Sequence, residues 1–250
     1  MIKGNYLVEN ASQVRDLAEK LAKTWRFLHD RGFIEGFGHI SARTSDPNLI
    51  LISPFDLSPR AKAEDFVMID LDGVQHGTTA PLPGETPIHL EIYKARPDVG
   101  SVGHFHAIYP TSFGMSDLPL RPTYFLASIF RDGLPIHPDS RLINAPERGK
   151  ALALTLGSHR AAIMKAHGVV TVGQDIEEML AVTYILEDNA HRTLISASMG
   201  KVEYLSDEAM AEIEPELLKN RGPFRRIWAM CECHAQSSFA CDPVSARNEA

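Results

Sequence analysis

The apolar residues of this chain come in short, separated blocks, and that spacing narrows the fold more than any other feature. Ser101–Ala107 and Ala161–Lys165 are apolar but too short to be helices, so they read as buried strands. Further β-like runs fall at His39–Thr44, Leu49–Ser53 and Phe66–Asp70, the last ending in a turn at Asp72-Gly73. Helical spacing separates these blocks. Val14, Leu17, Leu21, Trp25 and Leu28 form one stripe, with Arg15, Glu19, Lys20 and Lys23 between them, and the helix closes near Gly32. Thr86 followed by Pro87 reads as an N-cap and first helical residue of a helix to Arg96, stopped by Pro97-Asp98. Ala151–Leu156 is helical. Asp175–Met199 is the longest helix, with Ile176, Met179, Leu180, Thr183, Leu186 and Leu194 near one face. Gly77–Pro83 is a loop, and Pro110–Pro146 holds many prolines and only short apolar runs. Helices lie between single strands and between groups of strands, with no internal repeat. The expectation is a single layered α/β domain over 1–222, followed by a C-terminal tail, 223–250, partly mobile or packed at a subunit interface.

Composition excludes several function classes. The formal charge is -7, which offers no basic surface for nucleic acid or an anionic membrane. Cys231, Cys233 and Cys241 are an odd set confined to the C-terminal stretch, which is not a disulfide framework and favours a reducing compartment. Cys231-Glu232-Cys233-His234 lacks a second pair at zinc-finger spacing and reads as a reduced tail segment. The opening MIKGNYLVENASQ has no apolar signal-peptide core, and no stretch approaches ~20 apolar residues. A cytoplasmic location is expected.

His104-Phe105-His106 lies inside the apolar run that begins at Ser101. Side chains two apart on a strand share a face, ~6–7 Å apart along the backbone. Two imidazoles so placed can converge on one ion, but the pair alone fits satisfied core histidines or a water-facing strand equally well. His167, at the end of the Ala161–Lys165 run and before Gly168, shifts that balance toward a three-imidazole site with positions open for substrate. Glu85 lies just before the Thr86 helix, where a carboxylate is electrostatically favoured whether or not it does chemistry. His89, one turn further, extends the polar face, and Glu91 is expected to face solvent.

The run PLPGETPIHLEIYKARPDVGSVGHFHAIYPTSFG, then KAHGVVTVG and a long helix, is similar to the class II aldolase/adducin family. GFGHISAR at Gly36–Arg43 and LISP at Leu51–Pro54 match the family's first third, so the resemblance covers roughly residues 11–200. It implies a three-layer αβα fold with a central, mainly antiparallel mixed sheet. It also implies a divalent cation on His104, His106 and His167, with Glu85 as acid/base. Zn2+ or Mn2+ is the expected metal, with Co2+ or Fe2+ accommodated. Family enzymes commonly form homotetramers with active sites at subunit interfaces.

The phosphate-binding donors of the sugar-phosphate members are replaced here by His39, Phe55-Asp56 and Pro83-Gly84, which cannot serve a dianion in the same way. GHISAR, IHLEIYKARPDV and AHGVVTVG instead resemble the branch of decarboxylases of hydroxylated aromatic and heteroaromatic carboxylates. The resemblance therefore implies a carbon–carbon lyase, a carboxy-lyase rather than an aldehyde-lyase, working through a metal-stabilised enolate. Glu85 and His89 are the expected catalytic residues, and His39, Ser41, Arg43 and Ser53 the expected contacts to a small carboxylic acid. An aldolase or dehydratase using the same metal is the alternative. A non-catalytic adducin-like scaffold would be expected to lose the histidines, which this chain retains.

Overall fold

The computed structural model describes residues 2–77 and 79–239. Helix α1, Ile2–Asp30, buries Leu21, Trp25 and Leu28 and stops where Gly32 adopts φ 75°. The Phe33 N–H then returns to Leu28 O at 2.9 Å, closing the helix end as a left-handed glycine permits. Eight strands follow: β1 Gly38–Arg43, β2 Leu49–Ile52, β3 Val67–Asp70, β4 Gln75–His76, β5 Ser101–Phe105, β6 Ile136–His137, β7 Ala161–Met164 and β8 Gly168–Gly173. They form one sheet in the order β4-β3-β2-β1-β5-β8-β7-β6. Every neighbouring pair is antiparallel except β6–β7. The sheet is mixed and mainly antiparallel, as expected.

The remaining helices are α2 Thr86–Ala95, α3 Ile108–Phe113, α4 Pro146–Leu156, α5 Ile176–Met199, α6 Asp207–Lys219 and α7 Gly222–Phe239. Alternation along the strands splits the apolar residues into two cores. One face packs on α1, α3, α5 and α7, through Leu21, Phe105, Phe113, Leu180 and Phe224. The other packs on α2 and α4, through Val102, Val170, Ile88, Leu152 and Leu156. This is the three-layer arrangement. No helix among the described residues is long and apolar enough to cross a membrane.

Three sequence expectations need correction, and strand β8 has no counterpart among them. Thr86 is the first residue within α2 rather than its cap; Glu85 holds the N-cap position, and Thr86 Oγ1 donates to Pro83 O at 2.7 Å. Glu91 is buried, 5% exposed, because α4 crosses over it. Gly149 permits that crossing, since a Cβ there would lie 2.5 Å from Pro87 O. The strand β8 was missed: the run after His167 reverses at a tight turn and pairs with both β7 and β5. The segment set apart as a tail begins instead with α7, whose Phe224, Ile227, Trp228 and Cys231 join the core of α1 and α5. Lys23 Nζ meets Glu232 Oε1 at 3.5 Å, and His234 Nε2 meets Asp30 Oδ2 at 2.8 Å, tying α7 to α1. Residues 240–250, including Cys241, and Thr78 of the Gly77–Pro83 loop lie outside the described residues.

Because Phe224 is 2% exposed within this core, Phe224→Ala is expected to lower the unfolding free energy by about 3–5 kcal/mol. Chemical denaturation measures it. A loss below about 1 kcal/mol would mean that α7 is not part of the main core.

Candidate metal centre

The site forms at one end of the sheet, where β5 leaves it and the β7–β8 turn meets it. His104 is the fourth residue of β5 and pairs with His39 of β1 on one side and Val170 of β8 on the other. Its side chain lies on the α2 face, while Phe105 points the opposite way into the α5 core. His106 follows at the strand end and is exposed, with Phe37 stacked on it at 5.6 Å between ring centroids. His167 comes from the turn between β7 and β8. The His167 N–H returns to Met164 O at 3.0 Å, and Ala166 takes a left-handed φ of 52°, a strained value for a residue with a Cβ. The three imidazoles stand edge to face around one point, at 5.1, 5.1 and 5.3 Å between centroids.

Glu85 completes the cluster. Although it occupies the N-cap of α2, its carboxylate makes no capping bond. Oε1 accepts the Ile143 N–H at 2.7 Å, and Oε2 lies 3.6 Å from His104 Nε2 and 3.4 Å from His167 Nε2. The helix end therefore places this carboxylate but does not consume it.

The donor set fits a divalent cation. One ligand atom from each of Glu85, His104, His106 and His167 lies within 4.8 Å of all the others. His104 Nδ1 must donate to Val169 O at 3.0 Å, since a carbonyl only accepts, so its Nε2 is a bare lone pair facing Glu85. His104 Nε2 and both ring nitrogens of His167 are buried without any hydrogen-bond partner. Such orphaned atoms are costly in a folded interior unless something binds them.

Behind the cluster runs a buried polar chain. His39 Nδ1 meets His89 Nε2 at 2.7 Å, His89 Nδ1 meets Ser41 Oγ at 2.7 Å, and Ser41 Oγ meets Tyr93 Oη at 2.9 Å. His39 and His104 rings are 4.9 Å apart, so this chain touches the Glu85 and histidine cluster directly. His89 has both nitrogens occupied and no exposed surface, which sets it behind His39 rather than in open space. Ser53 Oγ accepts the Ile40 N–H at 3.1 Å and binds β2 to β1. Arg43 is not brought to the cluster: Nε and Nη2 donate to Val99 O and Tyr93 O at 3.2 and 3.0 Å, Nη1 donates to Pro47 O, and the guanidinium lies over the Tyr93 ring. Tyr93 and Phe37 were missed from the sequence. Tyr93 was detectable, being four residues after His89 on one helix.

Burial shapes the electrostatics. It pushes His39 and His104 well below the usual imidazole range, reinforced by the neighbouring rings, and lowers His89 to about 3. Exposed His106 is lowered too, by partial burial and by His167. For Glu85, burial alone raises the carboxyl, but the nearby His167 and His104 rings and the Ile143 N–H outweigh it and hold it at about 2. Lowered pKa values at Glu85, His104 and His106 favour an ionised carboxylate beside neutral rings, the ionisation state that binds a cation.

A layered α/β fold with three imidazoles and a carboxylate converging at its strand ends, a donor set that fits a divalent cation, is the arrangement of an aldolase-type protein. The chain belongs to the class II aldolase and adducin family: residues 19–194 match the Class II Aldolase and Adducin N-terminal domain. It is similar to the 3,4-dihydroxyphthalate decarboxylase of Rhodococcus jostii (strain RHA1), 28% identical over 227 residues, which cover 84% of this chain and 93% of the relative. It is also similar to an L-fuculose phosphate aldolase of Methanococcus maripaludis, 31% identical over 184 residues, which cover 72% of this chain and 97% of the relative. Among solved structures, an aldolase II superfamily protein from Pseudomonas syringae has the same fold, with a TM-score of 0.81 at 22% identity over 90% of this chain and 94% of that one.

The buried rings predict an acid-sensitive metal-free protein. A histidine with a lowered folded pKa binds fewer protons than the unfolded chain, so stability falls as pH drops below about 6.5. For His89 the loss continues to about 3. Glu85, also lowered, adds its own loss only below the ordinary carboxylate value, on the way to about 2. Each ring contributes about 1.4 kcal/mol per pH unit once the unfolded chain is protonated. Unfolding free energies measured between about pH 6 and 4 should show this slope, and His89→Gln should reduce it by about one proton's worth. An unchanged slope would show that His89 is charged in the folded protein.

Proposed function

We propose that this protein is a metal-dependent carbon–carbon lyase that releases CO2 from a non-phosphorylated hydroxy-aromatic, heteroaromatic or ring-cleavage-type carboxylic acid. The observation that carries the reading is Glu85 Oε2, 3.4 and 3.6 Å from the partnerless Nε2 atoms of His167 and His104. His104, His106 and His167 would hold the cation, Zn2+ or Mn2+, with Glu85 beside it. When bound, the ion supplies Lewis-acid stabilisation of negative charge developing on a substrate oxygen.

The chain's own residues do the rest. Glu85, ionised at neutral pH, takes the proton of the substrate hydroxyl. The bond to the carboxylate carbon then breaks, CO2 leaves, and its electron pair stays on the substrate carbon. Glu85 returns the proton to that carbon. The Ile143 N–H holds the other carboxylate oxygen, so the proton moves at Oε2. His39 and His89 back the cluster as a buried hydrogen-bonded pair. Phe37, exposed and stacked on His106, offers a flat apolar wall beside the open ligand.

The likeness to a decarboxylase over 84% of the chain supports a carboxy-lyase. So do the replaced phosphate donors: His39 is spent on His89, Phe55 is 73% exposed, and Asp56 would repel a dianion. The likeness to an L-fuculose phosphate aldolase favours the second reading, an aldolase or dehydratase with the same metal residues. A homotetramer with sites at subunit interfaces fits the exposed apolar side chains of Ile108, Phe125, Leu194 and Met199 on α3, α5 and the short helix Phe125–Phe130.

Glu85→Gln keeps the shape but cannot carry the proton, so turnover should fall ~10²–10⁴-fold, with metal retained as measured by elemental analysis. Undiminished turnover would place the base elsewhere.

Substrate class is tested by assaying metal-loaded protein side by side on ortho-hydroxy aromatic, heteroaromatic and dienoic acids and on fuculose and ribulose phosphates. CO2 release with little sugar-phosphate cleavage is expected. Efficient cleavage of a sugar phosphate, with no decarboxylation of any hydroxy acid, establishes the aldolase reading instead.

A further inference from the structure

The protein treats two of its metal-facing histidines unequally. His104 Nδ1 donates to Val169 O at 3.0 Å, and that bond turns Nε2 toward Glu85. His167 Nε2 also faces Glu85, yet its Nδ1 is buried with no partner. A ligating imidazole ordinarily donates its second N–H to an acceptor, because that bond sets the tautomer and the ring orientation. His167 lacks one among the described residues.

His137, on the neighbouring strand β6, has the complementary deficit. Its carbonyl accepts the Lys165 N–H at 2.9 Å, so it is tied to the same turn that presents His167. It pairs with Met164 of β7 and turns its side chain to the α4 face, where it is 4% exposed. There its Nδ1 lies 2.9 Å from Thr155 Oγ1. The Thr155 hydroxyl has one proton and donates it to Ala151 O at 3.1 Å, so the ring nitrogen must be the donor in the first bond. His137 Nε2 is therefore a bare acceptor, and it is buried with no partner. Burial, opposed by Asp139 and aided by nearby His167, lowers this imidazole and keeps it neutral at physiological pH. An orphan donor position on His167 and an orphan acceptor on His137 thus flank one turn. A buried water bridging such atoms is the usual resolution.

We propose that His137 is a positioning residue for the metal ligand His167, its Nε2 accepting the His167 Nδ1–H through one buried water. Thr155 sets the His137 tautomer, and His137 in turn sets that of His167. This rests on the reading of Glu85, His104, His106 and His167 as a metal site.

The test is Zn2+ affinity by chelator competition, with metal-free melting curves as the check on folding. His104→Ala serves as the control for loss of a ligand. His137→Phe keeps the ring volume but removes the acceptor, and affinity should fall about 10–100-fold. His137→Gln restores an acceptor through its amide oxygen and should recover most of that loss, which a purely packing role would not produce. Thr155→Val, on the surface of α4, releases the tautomer and should cost several-fold. Wild-type affinity in His137→Phe, or a Gln variant no better than Phe, overturns the proposal. Should the Phe variant fail to fold, Thr155→Val decides: undiminished affinity overturns it and a several-fold loss supports it. A wild-type protein that binds no Zn2+ refutes the metal site itself, a result distinct from tight wild-type binding that is insensitive to His137.

Discussion

The close approach of β5 and β8 at Gly168 is the constraint on which the rest of the site depends. A Cβ at that position would lie 2.5 Å from Phe105 O, 3.1 Å from the His106 ring and 3.2 Å from the His104 ring. Only glycine lets the strand leave the His167 turn and run immediately beside the His104 strand. The same contact brings a residue 61 positions further along the chain within ligand distance of His106. Ala166 accepts a left-handed backbone so that the reversal is tight enough. Strain at Ala166 and the absence of a side chain at Gly168, one on either side of His167, thus convert sheet pairing into a donor cluster.

Burial then fixes what the cluster can bind. His39, His89 and His104 sit where a charged ring would be costly, so they are neutral lone-pair donors or hydrogen-bond relays. Glu85 is the exception, kept ionised by the Ile143 N–H and the adjoining rings against the cost of its own burial. A lone carboxylate facing bare imidazole nitrogens is an uncompensated arrangement in a protein interior. A divalent cation would resolve it, because it would satisfy the partnerless nitrogens and the negative charge together. The chain from His104 through His39, His89 and Ser41 to Tyr93 holds the inner side of this arrangement rigid, while exposed His106 and Phe37 leave the outer side accessible.

Much of this was legible in the sequence, for local reasons. Strands β1, β2, β3, β5 and β7 and helices α1, α2 and α5 each announce themselves through period, capping residues or a stop signal within a few positions. What escaped was non-local. The run after His167 is apolar and strand-like, but nothing within it shows that it turns back beside β7. Glu91 has the look of a solvated helix residue until α4 is laid across it at Gly149. The segment from Gly222 is uneven in composition, and its helix is held by contacts with α1 and α5 more than 30 residues away. His137 sits on a strand of two residues in a proline-rich stretch, and no periodicity can be read from two residues.

The candidate site divides in the same way. His104 and His106 are marked by a two-residue spacing inside an apolar run, and Glu85 and His89 by four-residue spacing at a helix start, so the sequence by itself determined which residue types share a face. It also determined the family, because the motifs stand in order along one chain. Only the tertiary structure decided which of those faces meet. It joined Glu85 to the histidines, set His89 and Ser41 behind them, and left Arg43 binding backbone carbonyls instead. The physical reason is that side-chain direction follows from local backbone period, whereas convergence depends on strand register and turn closure between residues far apart in the chain.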